Sequence, residues 1–358
     1  MEETMRRVMV RAERRRHGMP SPQALVRAPG LEFAWGERAQ RFHGASIAKA
    51  MTATLTLRLA ERSALDLDAP ITRLLPEREW DGLFVLDGVD RAGKVTPAHL
   101  LSHTSGVADY FEGRTETGPP LAKLVAAEPA RTWTPADLLA FSRERQRPVA
   151  APGRRFSYSD TGYVLLGRII EEAGGATLGA QLHQEVFGPA GMGDSCLLFH
   201  TLPGGAVSIR PDSAEELDIA PLWLGRDEVS RAASLSCDWG GGGVVSTLDD
   251  LVRFTTAWRS GELIGADSRA RMTDAQHRFR PGIRYGTGMM QLRYDGFSPF
   301  LRGMPRTVGH LGVSATHLFV DPERDLHIAL NFHSTREMLR SFRVHIDLVR
   351  AALRVLGR

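Results

Sequence analysis

Apolar and polar positions change rhythm several times along this chain. Residues 1 to 18 place Met5, Val8 and Met9 on one side of a charged stretch. That spacing predicts an amphipathic helix stopped by Gly18 and Pro20. "QALVRAP" and "LEFAWG" read as two short strands around a turn at Pro29-Gly30. "SIAKAMTATLTLRLAERSALDLDAPI" follows, with no charge between Lys49 and Arg58, so its helix is expected to be buried on most sides. From about 70 to 215, helical segments such as "PADLLAFSRERQ" and "TGYVLLGRIIEEAGG" are broken by Pro and Gly. In "GGGGVVSTLDDLVRFTTAW", Ser246 or Thr247 can cap a helix, with Asp249 or Asp250 three residues on. The pattern then turns strand-like in "RYGTGMMQLRY", "THLFV" and "LHIALNF", the last two joined by the turn "DPERD". The chain closes on a strongly amphipathic helix, "REMLRSFRVHIDLVRAALRVLG". The pattern describes one α/β unit interrupted by a helical insert. We place the α/β lobe at about 1–70 and 216–358 and the helical lobe at about 71–215, together forming a single domain.

Composition changes this picture little. Apolar residues make up 42% of 358 and charged residues 24%, the balance of a globular protein. A net charge of +3 is small for this length, and the arginines are scattered. The basic start, "MRRVMVRAERRRHG", reads as a solvated helix face, so no nucleic-acid partner is expected. Cys196 and Cys237 lack metal spacing and are expected as free buried thiols. The N-terminus lacks the apolar core of a secretory signal, and no apolar run is long enough to span a bilayer. The expectation is a cytoplasmic protein with no membrane partner.

Charge choice is more informative. Lys49, Lys94 and Lys123 are the only lysines in a chain that otherwise uses arginine. Lys49 lies in an apolar run, where an amine can lose its proton and a guanidinium cannot. Ser46 precedes it by three residues, on the same face of a helix. A serine hydroxyl becomes a nucleophile when a nearby base takes its proton. Tyr158, Ser159 and Asp160 form a short polar turn before a helix. Asp160 there is either a site residue or a plain N-cap. His310, between Gly309 and Gly312 at the start of a strand, is either a site residue or an ordinary strand histidine; the glycines allow close approach of a substrate. Tyr110 and Trp239 are either walls of a binding cavity or ordinary buried aromatics.

Taken together and in order, these segments resemble the serine β-lactamase-like superfamily, which includes class C β-lactamases, penicillin-binding DD-peptidases, D-amino-acid amidases and family VIII esterases. The S-x-x-K motif reads Ser46-Ile47-Ala48-Lys49. The Tyr-x-Asn motif reads Tyr158-Ser159-Asp160, and the Lys-Thr-Gly or His-x-Gly motif reads His310-Leu311-Gly312. "LDLDAPI", "VTPAHLLSHTSGV", "APGRRFSYSDTGYVLLGRIIEEAGG" and "GGGVVSTLDDLVRF" agree as well. The resemblance covers about residues 40 to 335. It implies an antiparallel sheet flanked by N- and C-terminal helices, an all-helical subdomain, and an active site between them. It also implies acyl transfer through Ser46, with Lys49 and Tyr158 sharing the role of base. The N–H groups of Ser46 and Val313 would hold the oxyanion, and His310, Gly312 and Asp160 would face the substrate. No metal or organic cofactor is implied.

Three departures narrow the expectation. Asp160 stands where the family has asparagine; a carboxylate only accepts hydrogen bonds and favours a protonated Lys49, which moves weight to Tyr158 as the base. His310 stands where β-lactamases and DD-peptidases carry lysine, so a substrate carboxylate is held less well. The stretch ahead of Ser46 is short for the family. We therefore expect a serine hydrolase of small carboxylic esters, with amides second. An acyltransferase using the same site, a β-lactamase or D-amino-acid peptidase, and a catalytically inactive binder are the alternatives.

Overall fold

Both ends of the chain build one sheet. The computed structural model describes residues 2–14, 18–206, 214–215 and 217–357. The sheet strands are β1 (Gln23–Ala28), β2 (Leu31–Trp35), β3 (His277–Arg280), β4 (Ile283–Tyr285), β5 (Met290–Leu292), β6 (Thr307–Gly312), β7 (Thr316–Asp321) and β8 (Leu326–Asn331). They lie in the order β3-β4-β5-β6-β7-β8-β1-β2. Every pairing is antiparallel, including β1 with β8, where Gln23 faces Asn331 and Arg27 faces His327.

Strand alternation sorts the side chains onto two faces. Ala24, Val26, Phe319, Ile328 and Leu330 point to one cluster, completed by Met5 and Met9 of helix α1 (Glu2–Glu13) and by Val344, Leu348 and Val349 of the C-terminal helix, labelled α5 below (Met338–Val355). Leu25, Val308, Leu318, Val320 and Ala329 point the other way, into the larger core. The sheet is covered on both faces, which is why its central strands read as continuous apolar runs. The expected N-terminal helix is found up to Glu13; its extension over 15–17 lies outside the described residues.

The larger core surrounds helix α2 (Ala48–Glu61). Every residue from Ala48 to Leu57 is buried, as the uncharged stretch required. Its threonines are satisfied locally: Thr54 and Thr56 donate to the carbonyls of Ala50 and Thr52, and Thr52 to Gly240. Helix α3 (Asp160–Gly174) packs along α2. Its N-cap is Ser159, whose hydroxyl accepts from the Gly162 N–H, and Gly175 ends it with φ +68°. Helix α4 (Leu248–Ser260) is capped by Thr247, which accepts from the Asp250 N–H, and packs on β1 and β8. The antiparallel sheet flanked by helices is the fold that the resemblance implied.

Candidate active site

Ser46 sits in a tight turn rather than in α2 itself. Ala45–Ile47 form one 3₁₀ turn, and α2 starts at Ala48. The turn is held from both sides: Gly44 N–H donates to the Val244 carbonyl at 2.9 Å, and Thr316 Oγ1 donates to the Gly44 carbonyl at 3.1 Å. Ala45 takes φ +49°, a left-handed conformation that an alanine adopts only under such constraint. Lys49 still reaches Ser46, with Nζ 3.1 Å from Oγ.

Lys49 is fully buried and has an acceptor for each of its three protons: Ser46 Oγ, the Gly241 carbonyl at 2.7 Å, and the Asp160 carboxylate in an ion pair. The glycine run makes this approach possible. A Cβ on Gly241 would stand 2.8 Å from Asp160 Oδ1 and 3.2 Å from Lys49 Nζ. Asp160 is the first helical residue, one position past the cap, so its side chain is free to pair with Lys49.

Tyr158 completes the group. Its hydroxyl is near enough to the Ser46 side chain to feel it electrostatically, and its ring lies 5.1 Å from Lys49 Nζ. Burial, then the charge of Asp160, push its phenol well above the ordinary range, so it rests neutral. The carboxylate that pairs with Lys49 also opposes a resting phenolate at Tyr158.

Ser46, Tyr158, Asp160, Gly312 and Val313 share one cavity of about 1230 Å³. Three other expected residues lie off its surface. His310 is buried behind the strand, its Nε2 3.3 Å from the Tyr285 hydroxyl and its Nδ1 2.8 Å from the Leu311 carbonyl. Burial, then the nearby Lys49 charge, hold it neutral with a pKa of about 3. Tyr110 is buried and donates to the Cys237 carbonyl at 2.6 Å. Trp239 packs against Gly167, where a Cβ would lie 2.6 Å from its ring. Both aromatics are interior packing, not cavity walls, because each is covered by the helices around α3. Cys196 and Cys237 are free and buried.

Residues outside the sequence-derived set surround the group. Asp109 accepts from the N–H groups of Asp160, Phe111 and Glu112. Asp238 stands on the cavity surface beside Gly242. Burial, then the charge of Asp160, raise both carboxyls, Asp238 to about 7. His103 brackets Tyr158: its carbonyl accepts from Ser157 N–H at 2.8 Å, its Nδ1 from Ser159 N–H at 3.1 Å, and its ring centroid lies 4.2 Å from that of Tyr158. The sequence signal for His103 and Asp109 was the polar cluster "SHTSGVAD" in an apolar setting. Their reach to residues 157–160 crosses about fifty positions of chain, which no local pattern reveals.

Comparison with known proteins agrees with this geometry. A sequence model of the Beta-lactamase family matches residues 12–352. The chain is 33% identical over 220 residues to penicillin-binding protein 4 of Amycolatopsis lactamdurans, covering 60% of this chain and 49% of that protein. Esterase EstB of Burkholderia gladioli is 29% identical over 340 residues, covering 85% and 81%. The chain thus spans about half the length of the two curated penicillin-binding proteins first matched, and most of the esterase. The D-amino acid amidase of Ochrobactrum anthropi SV3, solved with L-phenylalanine amide, superposes with a TM-score of 0.77 at 22% identity over 99% of both chains, a likeness of fold. With the motif order, the antiparallel sheet and a family match over nearly its whole length, the chain belongs to the Beta-lactamase family.

Proposed function

We propose that this protein is a serine hydrolase of small carboxylic esters, with Ser46 as nucleophile. The observation that carries the reading is the convergence of the Ser46 hydroxyl, the buried Lys49 amine and the Tyr158 phenol at one cavity. Lys49 rests paired with Asp160. Lys49 first passes one proton to Asp160, and the neutral amine so freed takes the hydroxyl proton as Ser46 Oγ bonds to the carbonyl carbon. The carbonyl π pair moves onto oxygen, where the N–H groups of Ser46 and Val313 stabilise it. Such a donor is typically worth about 3–4 kcal/mol in the transition state. Collapse expels the alkoxide, which recovers the proton through Lys49 and Tyr158. Tyr158 acts as a relay between neutral states. Water then repeats the sequence on the acyl-enzyme and frees Ser46.

Two features favour esters over β-lactams and D-Ala-D-Ala termini. Neutral His310 lies off the cavity and gives no fixed cation for a substrate carboxylate. The Asp160 side chain has no N–H with which to donate to an amide side chain.

The test is p-nitrophenyl butyrate turnover by wild type beside Ser46→Ala. Wild type is expected to turn over the ester, and the variant to lose more than about 10³-fold in kcat, down to background. Full activity in the variant would remove Ser46 from the nucleophile role. Adding a primary alcohol to the same assay and analysing the products separates hydrolysis from transfer.

A further inference from the structure

Beyond Ser46 and Tyr158 the cavity continues into an arm whose surface is mostly apolar. Its wall is formed by Phe279 of β3, Ile283 of β4, Leu311 of β6, Phe297, and Phe342 and Ile346 of α5, with Arg280 and Arg343 beside them on the lining. The arm starts at the reaction centre, since the Tyr158 and Phe279 rings lie 5.3 Å apart. Phe297 and Phe342 meet at 5.4 Å further along.

The pattern of α5 carries the argument. Val344, Leu348, Val349 and Ala352 are buried against the sheet, which suffices to dock an amphipathic helix. Yet an adjoining strip, Met338, Phe342 and Ile346 at spacings of four, is also apolar and only partly covered. Leu339 beside it is 78% exposed. All four line the cavity. Phe297 and His317 pack against Phe342 within the strip, while Met338, Leu339, Phe342 and Ile346 all keep apolar surface towards the cavity beyond what docks α5. The opposite end of the cavity carries Glu112, Arg114, Glu116 and Arg147. At about 1230 Å³ the cavity also exceeds the roughly 300–1,000 Å³ usual for small-molecule sites.

We propose that this arm is a subsite for one large apolar group of the substrate, an alkyl or aryl group carried by the acyl or the alcohol side of an ester. The inference rests on the hydrolase reading above and names the substrate class of that site: esters with one extended apolar part rather than short esters in general. The apolar part lies along α5, and the polar remainder faces the charged end of the cavity.

The test compares two series on the whole protein. One is p-nitrophenyl acetate, butyrate, hexanoate and octanoate; the other is ethyl, butyl, hexyl and octyl acetate, followed by acid release. In the series whose growing group enters the arm, kcat/KM rises about twofold to fourfold per methylene; the other series stays flat, and this identifies the side. Two variants are read by the ratio of long-chain to short-chain kcat/KM: Leu339→Asp, at an exposed position that leaves folding intact, and Ile346→Asp deeper in the arm. Each is expected to lower the ratio by about tenfold. Turnover of acetate with two flat series, or ratios unchanged in both variants, overturns the subsite and leaves the hydrolase reading standing. Folded protein that turns over no ester in either series removes both.

Discussion

Lys49 shows why one residue type is required at this position. Its ammonium is compact enough to serve three acceptors within one small volume, Ser46 Oγ, Asp160 and the Gly241 carbonyl. A guanidinium is planar and too large for that space, and it keeps its proton. His103 is the other decisive residue at this scale, as a positioning residue for Tyr158. Its two acceptors fix the backbone on either side of Tyr158 while its ring supports the phenol ring. It holds φ +54°, a conformation that asparagine tolerates well. His103→Asn therefore keeps an acceptor for the Ser159 N–H and loses only the ring. His103→Phe keeps a ring but leaves that buried N–H unpaired, at about 1–3 kcal/mol. The expected result is a lower Tm for His103→Phe than for His103→Asn, with kcat reduced in both and KM little changed. Equal kcat in wild type and both variants would mean that Tyr158 needs no such support.

At the scale of elements, the site is a contact between the turn of Ser46 and the end of β6. A Cβ on Gly312 would lie 2.0 Å from Thr316 Oγ1 and 2.6 Å from the Gly44 carbonyl. Gly312→Ala must therefore push β6 away from the turn that carries Ser46. Displacement on the order of 1 Å costs about 10²-fold in rate, so kcat for p-nitrophenyl butyrate should fall about that much while circular dichroism remains native. A variant with undiminished kcat would show that the two elements can separate without harm. This geometry also explains what was legible beforehand. Ser46 and Lys49 were readable because three residues of helical chain bring them together, and the order of motifs added Tyr158 and Gly312. The strands and α2 were readable because burial on all sides leaves uninterrupted apolar runs. The carboxylates Asp109 and Asp238 were not, since their proximity to Asp160 depends on three distant loops folding onto one point. The aromatic residues Tyr110 and Trp239 misled for the related reason that a large ring fills a core as readily as it lines a cavity.

For the whole molecule, the buried carboxyls tie stability to pH. Asp238 is raised from 3.8 to about 7 by burial and by the charge of Asp160. The folded protein thus holds a proton there that the unfolded chain has released between about pH 4 and pH 7. Stability from this group is full below that window and is lost as pH rises through it. Asp238→Asn removes this group's share of the dependence and leaves that of Asp109, so the variant should gain Tm over wild type at pH 8 and gain little at pH 4 to 5. Scanning calorimetry at both pH values reads the difference, and a gain independent of pH would contradict the assignment. The connectivity of the sheet has a separate consequence, in time. β1 and β2 leave the ribosome early, but β1 finds its partner β8 only after some three hundred further residues, with Gln23 donated to by Asn331 across a separation of 308. Until then the first hairpin presents an unpaired edge, while α2 and the helices around it can already collapse around local contacts. Val313 joins Ser46 only once that late segment docks. A nascent or truncated chain therefore contains the serine and the lysine without the proposed oxyanion site, and on that proposal the newborn protein is expected to stay inert until its last strands close.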